Sequence, residues 1–220
     1  MGRCAPPVRI TRHLLATVQG VERGGYLGAD LAEAVEPIGC GRQDRVGASV
    51  SGWQFCASQK GGDGVGKTKV GKGTKVMVVS DGNGLPIGLY LDAANHHEIK
   101  LAEATLQTIR VPQKRGRPKT RPKELVADKA YDSRDFRRKL RQRGIKPTIP
   151  TFARRKDAKP KRGRPIRVGE GYRQRWKIER CFSWMDNCRR LVVRYDRHLH
   201  LYRSFCLLAL ILWCIDRILK

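Results

Sequence analysis

KVMVVSDGNGLPIGLYL, residues 75–91, sets two apolar runs on either side of a turn. Lys75–Ser80 predicts a strand, Asp81–Pro86 a turn with Asp81 as a turn residue, and Ile87–Leu91 the returning strand of a hairpin. Beyond it, Ile99, Leu101, Ala102, Leu106 and Ile109 share one face of a helix from about His96 to Ile109. QKRGRPKTRPK (113–123) is a basic, proline-broken linker. ELVA (124–127) predicts a short buried strand ending at Asp128. Ser133 then caps a helix to Arg143, with Phe136 and Leu140 facing inward and Gly144 closing it. Lys146–Thr151 is a further short strand. A second basic linker, RRKDAKPKRGRPIR (154–167), precedes helices at about 171–190 and 199–219. This order predicts an α/β fold, a mixed sheet flanked by helices and closed by an apolar C-terminal helix.

Upstream of the hairpin the signals weaken. KGGDGVGKTKVGKGTK (60–75) reads as a flexible basic loop. Residues 1–50, with glycines at 20, 24, 25 and 28, are expected to hold little regular structure. The domain reading is therefore an atypical leader over 1–50 and one α/β domain over 51–220.

Charge narrows the partner. Among 220 residues, 46 Lys and Arg stand against 20 Asp and Glu, a net charge of +26. Residues 1–50 hold six basic and five acidic groups; the other 170 hold 40 and 15. A surface of that sign attracts polyanions, so a salt-sensitive phosphate-binding face is expected after residue 50. The seven cysteines, at 4, 40, 56, 181, 188, 206 and 214, form no CxxC pair. With no apolar segment near the start, they fit a reducing cytoplasm, and Cys181, Cys188, Cys206 and Cys214 read as small core residues. The apolar run Cys206–Ile215 has ten residues, against about 20 for a bilayer span. A buried helix, and no membrane partner, is the expectation.

Several motifs carry chemistry, each beside a plainer reading. Gly61-x4-Gly66-Lys67-Thr68 satisfies the phosphate-loop pattern, but that mechanism needs a helix directly afterwards. Gly71 and Gly73 follow instead, so a basic loop near DNA is preferred to a nucleotide site. Asp128 ends a short apolar strand, where open α/β sheets place reactive groups; a turn or cap role is the alternative. Asp132, just before Ser133, suits capping better. Tyr172, Arg175 and Glu179 share a helix face at i, i+3 and i+7, beside an apolar stripe of Ile178, Phe182 and Met185. Glu179 suits a magnesium ion or a simple ion pair with Arg175 or Arg180. The two RGRP tetrapeptides, Arg115–Pro118 and Arg162–Pro165, resemble AT-hook cores, with non-specific phosphate contact as the alternative. His96, His97 and Glu98 diverge on a helix and read as cap and surface residues.

Taken together, GGDGVGKTKVGKGTKVMVVSDGNGLPIG, ELVADKAYDS, GIKPTIP, YRQRWKIERCFSWMDNCRRLVVRYDR and the apolar closing helix resemble the DDE-superfamily transposases of bacterial insertion sequences, in the group with a Tyr-x2-Arg-x3-Glu signature. The resemblance spans roughly residues 55–220. It implies an RNase H-like fold whose carboxylates hold Mg²⁺ (or Mn²⁺) for cleavage and strand transfer of double-stranded DNA, both transposon ends and target. It makes Asp128 and Glu179 the catalytic, metal-binding residues, with Tyr172 and Arg175 completing the signature. Lys67, Lys69, Lys72, Lys75, Arg115, Arg117, Arg162, Arg164, Tyr172 and Arg175 are the expected DNA contacts. A homo-oligomer on DNA and a cytoplasmic, nucleoid-associated location accompany that picture.

Two positions depart from the family. Its first aspartate falls at or beside Gly52, and no acidic residue lies between Asp44 and Asp63. The Lys often found seven residues after the glutamate is Asp186 here. With no recognisable DNA-end-binding portion, the expectation is a truncated copy, incomplete at the domain's N-terminal edge and impaired in cleavage. The alternatives are a non-enzymatic basic DNA-binding protein and, from the phosphate-loop pattern alone, an ATPase.

Overall fold

A computed structural model describes residues 47–113, 116–151 and 169–219. Seven strands form one mixed sheet: β1 Ala48–Ser58, β2 Gly66–Thr68, β3 Gly71–Ser80, β4 Pro86–Ala93, β5 Glu124–Val126, β6 Lys146–Thr148 and β7 Val193–Arg194. β1 runs antiparallel to β3 from Val50↔Ser80 to Ala57↔Gly73. On its other edge β1 runs parallel to β5 (Ala48↔Glu124 to Val50↔Val126) and, further along, to β7. β4 and β2 pair with β3, and β6 lies parallel to β5. Three antiparallel strands followed by parallel ones is the mixed sheet expected of an RNase H-like fold.

The β3–β4 hairpin forms where the sequence predicts it. The Asp81 carboxylate accepts from the amides of Asn83 and Leu85, both at 2.8 Å, and Gly84 takes the left-handed φ of +87° that the turn requires. Val76 and Val78 point to one core, Met77 and Val79 to the other, all four buried. That explains why β3 reads as an unbroken apolar run: helices cover both faces. On one face lie α1 (Glu98–Gln107) and α2 (Arg134–Gln142). On the other lie α3 (Trp176–Asp186) and α5 (Leu199–Leu219), with the short α4 (Arg189–Val192) between them. His97 caps α1, Ser133 caps α2, and Gly144 at φ +72° ends it.

Several expectations need correction. β1 begins at Ala48 and so crosses the boundary expected at residue 50; its polar and glycine content hides a strand that is central only through its pairing. The stretch 60–75 is an ordered hairpin of β2 with the start of β3, and no helix follows Thr68. The helix expected over 171–190 divides into a 3-10 turn (Glu170–Arg175), α3 and α4. The loop after Val111 is ordered at its base, where Val111 and Lys119 exchange two backbone hydrogen bonds of 2.9 Å. The closing helix is buried on one side only: Leu199–Arg217 is long and apolar enough to cross a membrane by length and composition, yet a third of it is covered. Cys181, Cys206 and Cys214 are buried core residues as expected, while Cys188 is half-buried. Burial pushes the Cys181 thiol up to about 12.

Two buried cations tie distant segments together. Arg194, fully buried, donates to Thr74 Oγ1 at 2.6 Å, Asp63 O at 2.7 Å, Asp196 O at 2.9 Å and Arg197 O at 3.0 Å. Only a guanidinium presents enough donors for so many acceptors. Lys75, expected among the DNA contacts, is turned inward at 4% exposure. Its ammonium donates to Glu98 and to His96 O, at 2.7 and 2.8 Å, and is removed from any phosphate. Burial alone would raise the Glu98 pKa, but the hydrogen bond and charge of Lys75 hold it below the usual range.

Arg194→Met leaves several buried carbonyls without donors and should cost about 3 kcal/mol, read as a lower urea midpoint at unchanged slope. The depressed Glu98 contributes stability that is present in full above its ordinary pKa of about 4.3 and is lost as pH falls through the lower native value. Urea midpoints measured down this range should fall more steeply for the parent than for Glu98→Gln.

Candidate active site

Parallel pairing of β1 with β5 sets up the site. Extending the register beyond Val50↔Val126 by two residues places Gly52 opposite Asp128. With a side-chain period of two, both lie on the face of Val50 and Val126, the face covered by α3. Asp128 leaves β5 and caps the 3-10 turn Lys129–Tyr131, accepting from the Lys129 amide at 2.6 Å. Both sequence readings of this residue therefore hold: it ends the strand and it caps a turn. Asp132 instead pairs with the buried Arg137, accepting from Nε at 3.0 Å and Nη2 at 2.9 Å.

Across from Asp128, the 3-10 turn and α3 carry Tyr172, Arg175 and Glu179. Ile178 and Met185 are buried against the sheet with Phe182 packed on them, which anchors the helix and leaves Glu179 on its rim. The Arg175 guanidinium joins the two acids. Its Nη1 donates to Asp128 at 3.1 Å and to the Tyr172 hydroxyl at 2.9 Å; its Nη2 donates to Glu179 at 3.2 Å. Burial alone would lower the pKa of Arg175, but the Tyr172 hydrogen bond and the two carboxylates raise it. The side chains of Asp128 and Glu179 are 48% and 62% exposed. Ion pairs that wet contribute roughly 0–1 kcal/mol each, so fold stability does not account for the arrangement. Two acids converging on one positive charge at a water-accessible rim suit a cation-binding role better.

The donor set is short of a full metal centre. Among the described residues no three His, Cys, Asp or Glu side chains cluster. Asp128 and Glu179 offer oxygen ligands for one hard divalent ion; Gly52, facing them, offers none. A Cβ at Gly52 would lie 3.0 Å from Phe182 Cε2 and 3.1 Å from Ile178 Cγ1, so α3 sits close against the strand there. Asp186, at the end of α3, accepts a hydrogen bond from Gln54 Nε2 and so ties the helix to β1.

The expected DNA contacts are spread more widely. Lys67 and Lys72 sit directly across from each other on the β2–β3 hairpin, exposed, with exposed Lys69 at the turn. Like charges in direct cross-strand register destabilise a hairpin and are relieved by a polyanion. The hairpin pairs at Ala57, five residues beyond Gly52 and roughly 15 Å along β1, at the end of the sheet towards which the acids open. Lys75 does not join it. Arg117 lies elsewhere, lining an open pocket of about 750 Å³ with Lys119, Arg121, Lys123 and Arg143. Arg115, Arg162 and Arg164 lie outside the described residues. Sequence reasoning missed Arg194, whose surroundings VVRYD carry no periodic signal. It also missed Trp176, half-exposed one turn before Glu179 with the Arg180 guanidinium 4.6 Å from its ring centroid.

Comparison with known proteins agrees with this site. The transposase DDE domain family model matches residues 50–214, from the start of β1 to the closing helix. A Burkholderia cepacia protein described as the transposase for insertion sequence element IS402 is 33% identical over 144 residues, 64% of this chain. The match spans 63% of that relative's length. A structure of the piggyBac transposase synaptic complex with hairpin DNA aligns with 74% of this chain and 45% of its own at a TM-score of 0.46 and 10% identity, a likeness too slight to bear on function. A model that covers most of the chain, including Gly52, Asp128 and Glu179, is decisive: the chain belongs to the family of insertion-sequence transposases with a DDE domain.

Proposed function

We propose that the chain acts on double-stranded DNA as the catalytic part of an insertion-sequence transposase in the bacterial cytoplasm. In this reading Asp128 and Glu179 hold a divalent cation, and Gly52 weakens the chemistry. The observation that carries it is the convergence of Asp128 and Glu179 on a single guanidinium. A Mg²⁺ or Mn²⁺ ion bound there would supply the charge that stabilises oxygens around a reacting phosphorus. The protein's own groups do the positioning. The two carboxylates orient the ion, the Tyr172 hydroxyl fixes the direction of Arg175, and Arg175 turns from the acids to a DNA phosphate when a metal takes its place. Lys67, Lys69 and Lys72 hold the duplex backbone beyond the site.

Two-metal catalysis needs a third carboxylate between the ions, and its expected place is Gly52. This copy is therefore proposed to bind DNA and one cation while cleaving poorly. A non-enzymatic DNA-binding role is the second reading, favoured by that same glycine.

Mn²⁺ binding followed by electron paramagnetic resonance separates the two. The first reading expects binding that falls at least about tenfold in Asp128→Ala and in Glu179→Ala while affinity for DNA is kept; metal binding indifferent to both substitutions would leave passive DNA binding. Gly52→Asp should raise Mn²⁺ stoichiometry from one towards two and raise Mg²⁺-dependent cutting of cognate ends by about 100-fold or more. The gain should be larger with Phe182→Leu, which opens the space a Cβ at position 52 needs. Efficient cutting by the parent chain would refute the impairment.

A further inference from the structure

The closing helix carries a second apolar stripe that packs on nothing among the described residues. Its inner side, with Tyr202, Cys206, Leu210, Trp213 and Cys214, is buried against α3 and the sheet. On the opposite side Leu201 and Phe205 are 38% exposed, Leu208 and Leu212 50%, and Leu219 65%, with Ile215 half-buried. These six are spaced 4, 3, 4, 3 and 4 residues apart, the repeat by which two helices pack along a continuous seam. The spacing reads the same in both directions about Leu210, so a two-fold related copy meets it apolar to apolar. A helix apolar all round expects cover all round, and this one has cover on one side.

We propose that this outer face of α5 is where two copies of the chain associate. Charge and area support that occupant. In a chain of net charge +26, Ser204–Ile215 carries no charged residue, so the seam itself opposes no approach. At about 200 Å² for a large side chain, the stripe and its partly exposed neighbours leave on the order of 600 Å² per copy. Two copies would bury about 1,200 Å², the lower limit for a specific interface. Long-range repulsion between the two basic bodies works against that contact, so the dimer is modest in dilute salt and strengthens when salt screens the charge. DNA binding has the opposite dependence, weakening with salt. The seam is independent of whether the chain cleaves DNA.

Sedimentation velocity on the full chain, with salt raised from about 0.1 to 0.5 M, tests this. Self-association should tighten with salt. The double substitution Leu208→Glu and Leu212→Glu should weaken it by at least about 30-fold, with the circular dichroism spectrum and thermal midpoint kept because both side chains are half-exposed. Should the glutamates disturb folding, Leu208→Gln with Leu212→Gln is the milder pair and should weaken association in the same direction. A parent chain that stays monomeric at every salt concentration overturns the proposal. So does association indifferent to the folded variant, or a seam that recruits phospholipid vesicles in place of a second copy.

Discussion

β1 is hydrogen-bonded on both edges, antiparallel to β3 along eight residue pairs and parallel to β5 over its first three. Because side chains alternate across a strand, this double pairing decides what each position of β1 faces. A slip of one residue would turn Gly52 away from Asp128 and towards α1. The parallel partners β5 and β7 leave β1's outer edge at different heights. The opening between them is where Asp128 leaves the sheet and α3 crosses, bringing Glu179 within reach. The candidate site is a consequence of strand register before it is a matter of acidic residues.

Arg175 shows how such a site stays folded without its ion. Two carboxylates held near each other repel, and a guanidinium that pairs with both removes that cost while keeping them oriented. Tyr172 holds the guanidinium from the far side, so the whole signature Tyr-x2-Arg-x3-Glu serves one arrangement: an aromatic hydroxyl, a cation and an acid on successive turns. The 3-10 geometry of 170–175 matters here, since side chains three apart eclipse in it and Tyr172 and Arg175 align more closely than an α-helix would allow.

Local patterns were legible in the sequence where local forces act. The β3–β4 hairpin, the caps at His97 and Ser133, the end of β5 at Asp128 and the face shared by Arg175 and Glu179 all follow from short-range periodicity and turn chemistry. Gly52 was located by its distance from the glycine-rich stretch, and the register agrees. What remained hidden depends on contacts across the chain. β1 looks unremarkable because Ser51, Gly52 and Gln54 do not alternate apolar with polar. Lys75 reads as one more surface lysine until Glu98 arrives from α1 to bury it. The basic stretch 60–75 looks mobile because its glycines allow bending, yet Arg194 fixes it from a segment about 130 residues later.

That last clasp bears on synthesis. A ribosome releases the chain from its amino terminus at about 5–20 residues per second, so the lysine hairpin leaves the exit tunnel well before the guanidinium that fastens it. Until residue 194 emerges, Asp63 and Gly64 offer their carbonyls to water, and the most cationic stretch of the domain is on a loose tether. The nascent protein thus meets nearby DNA first through an unfastened arm, and completion of the carboxyl-terminal segments converts that arm into a fixed surface.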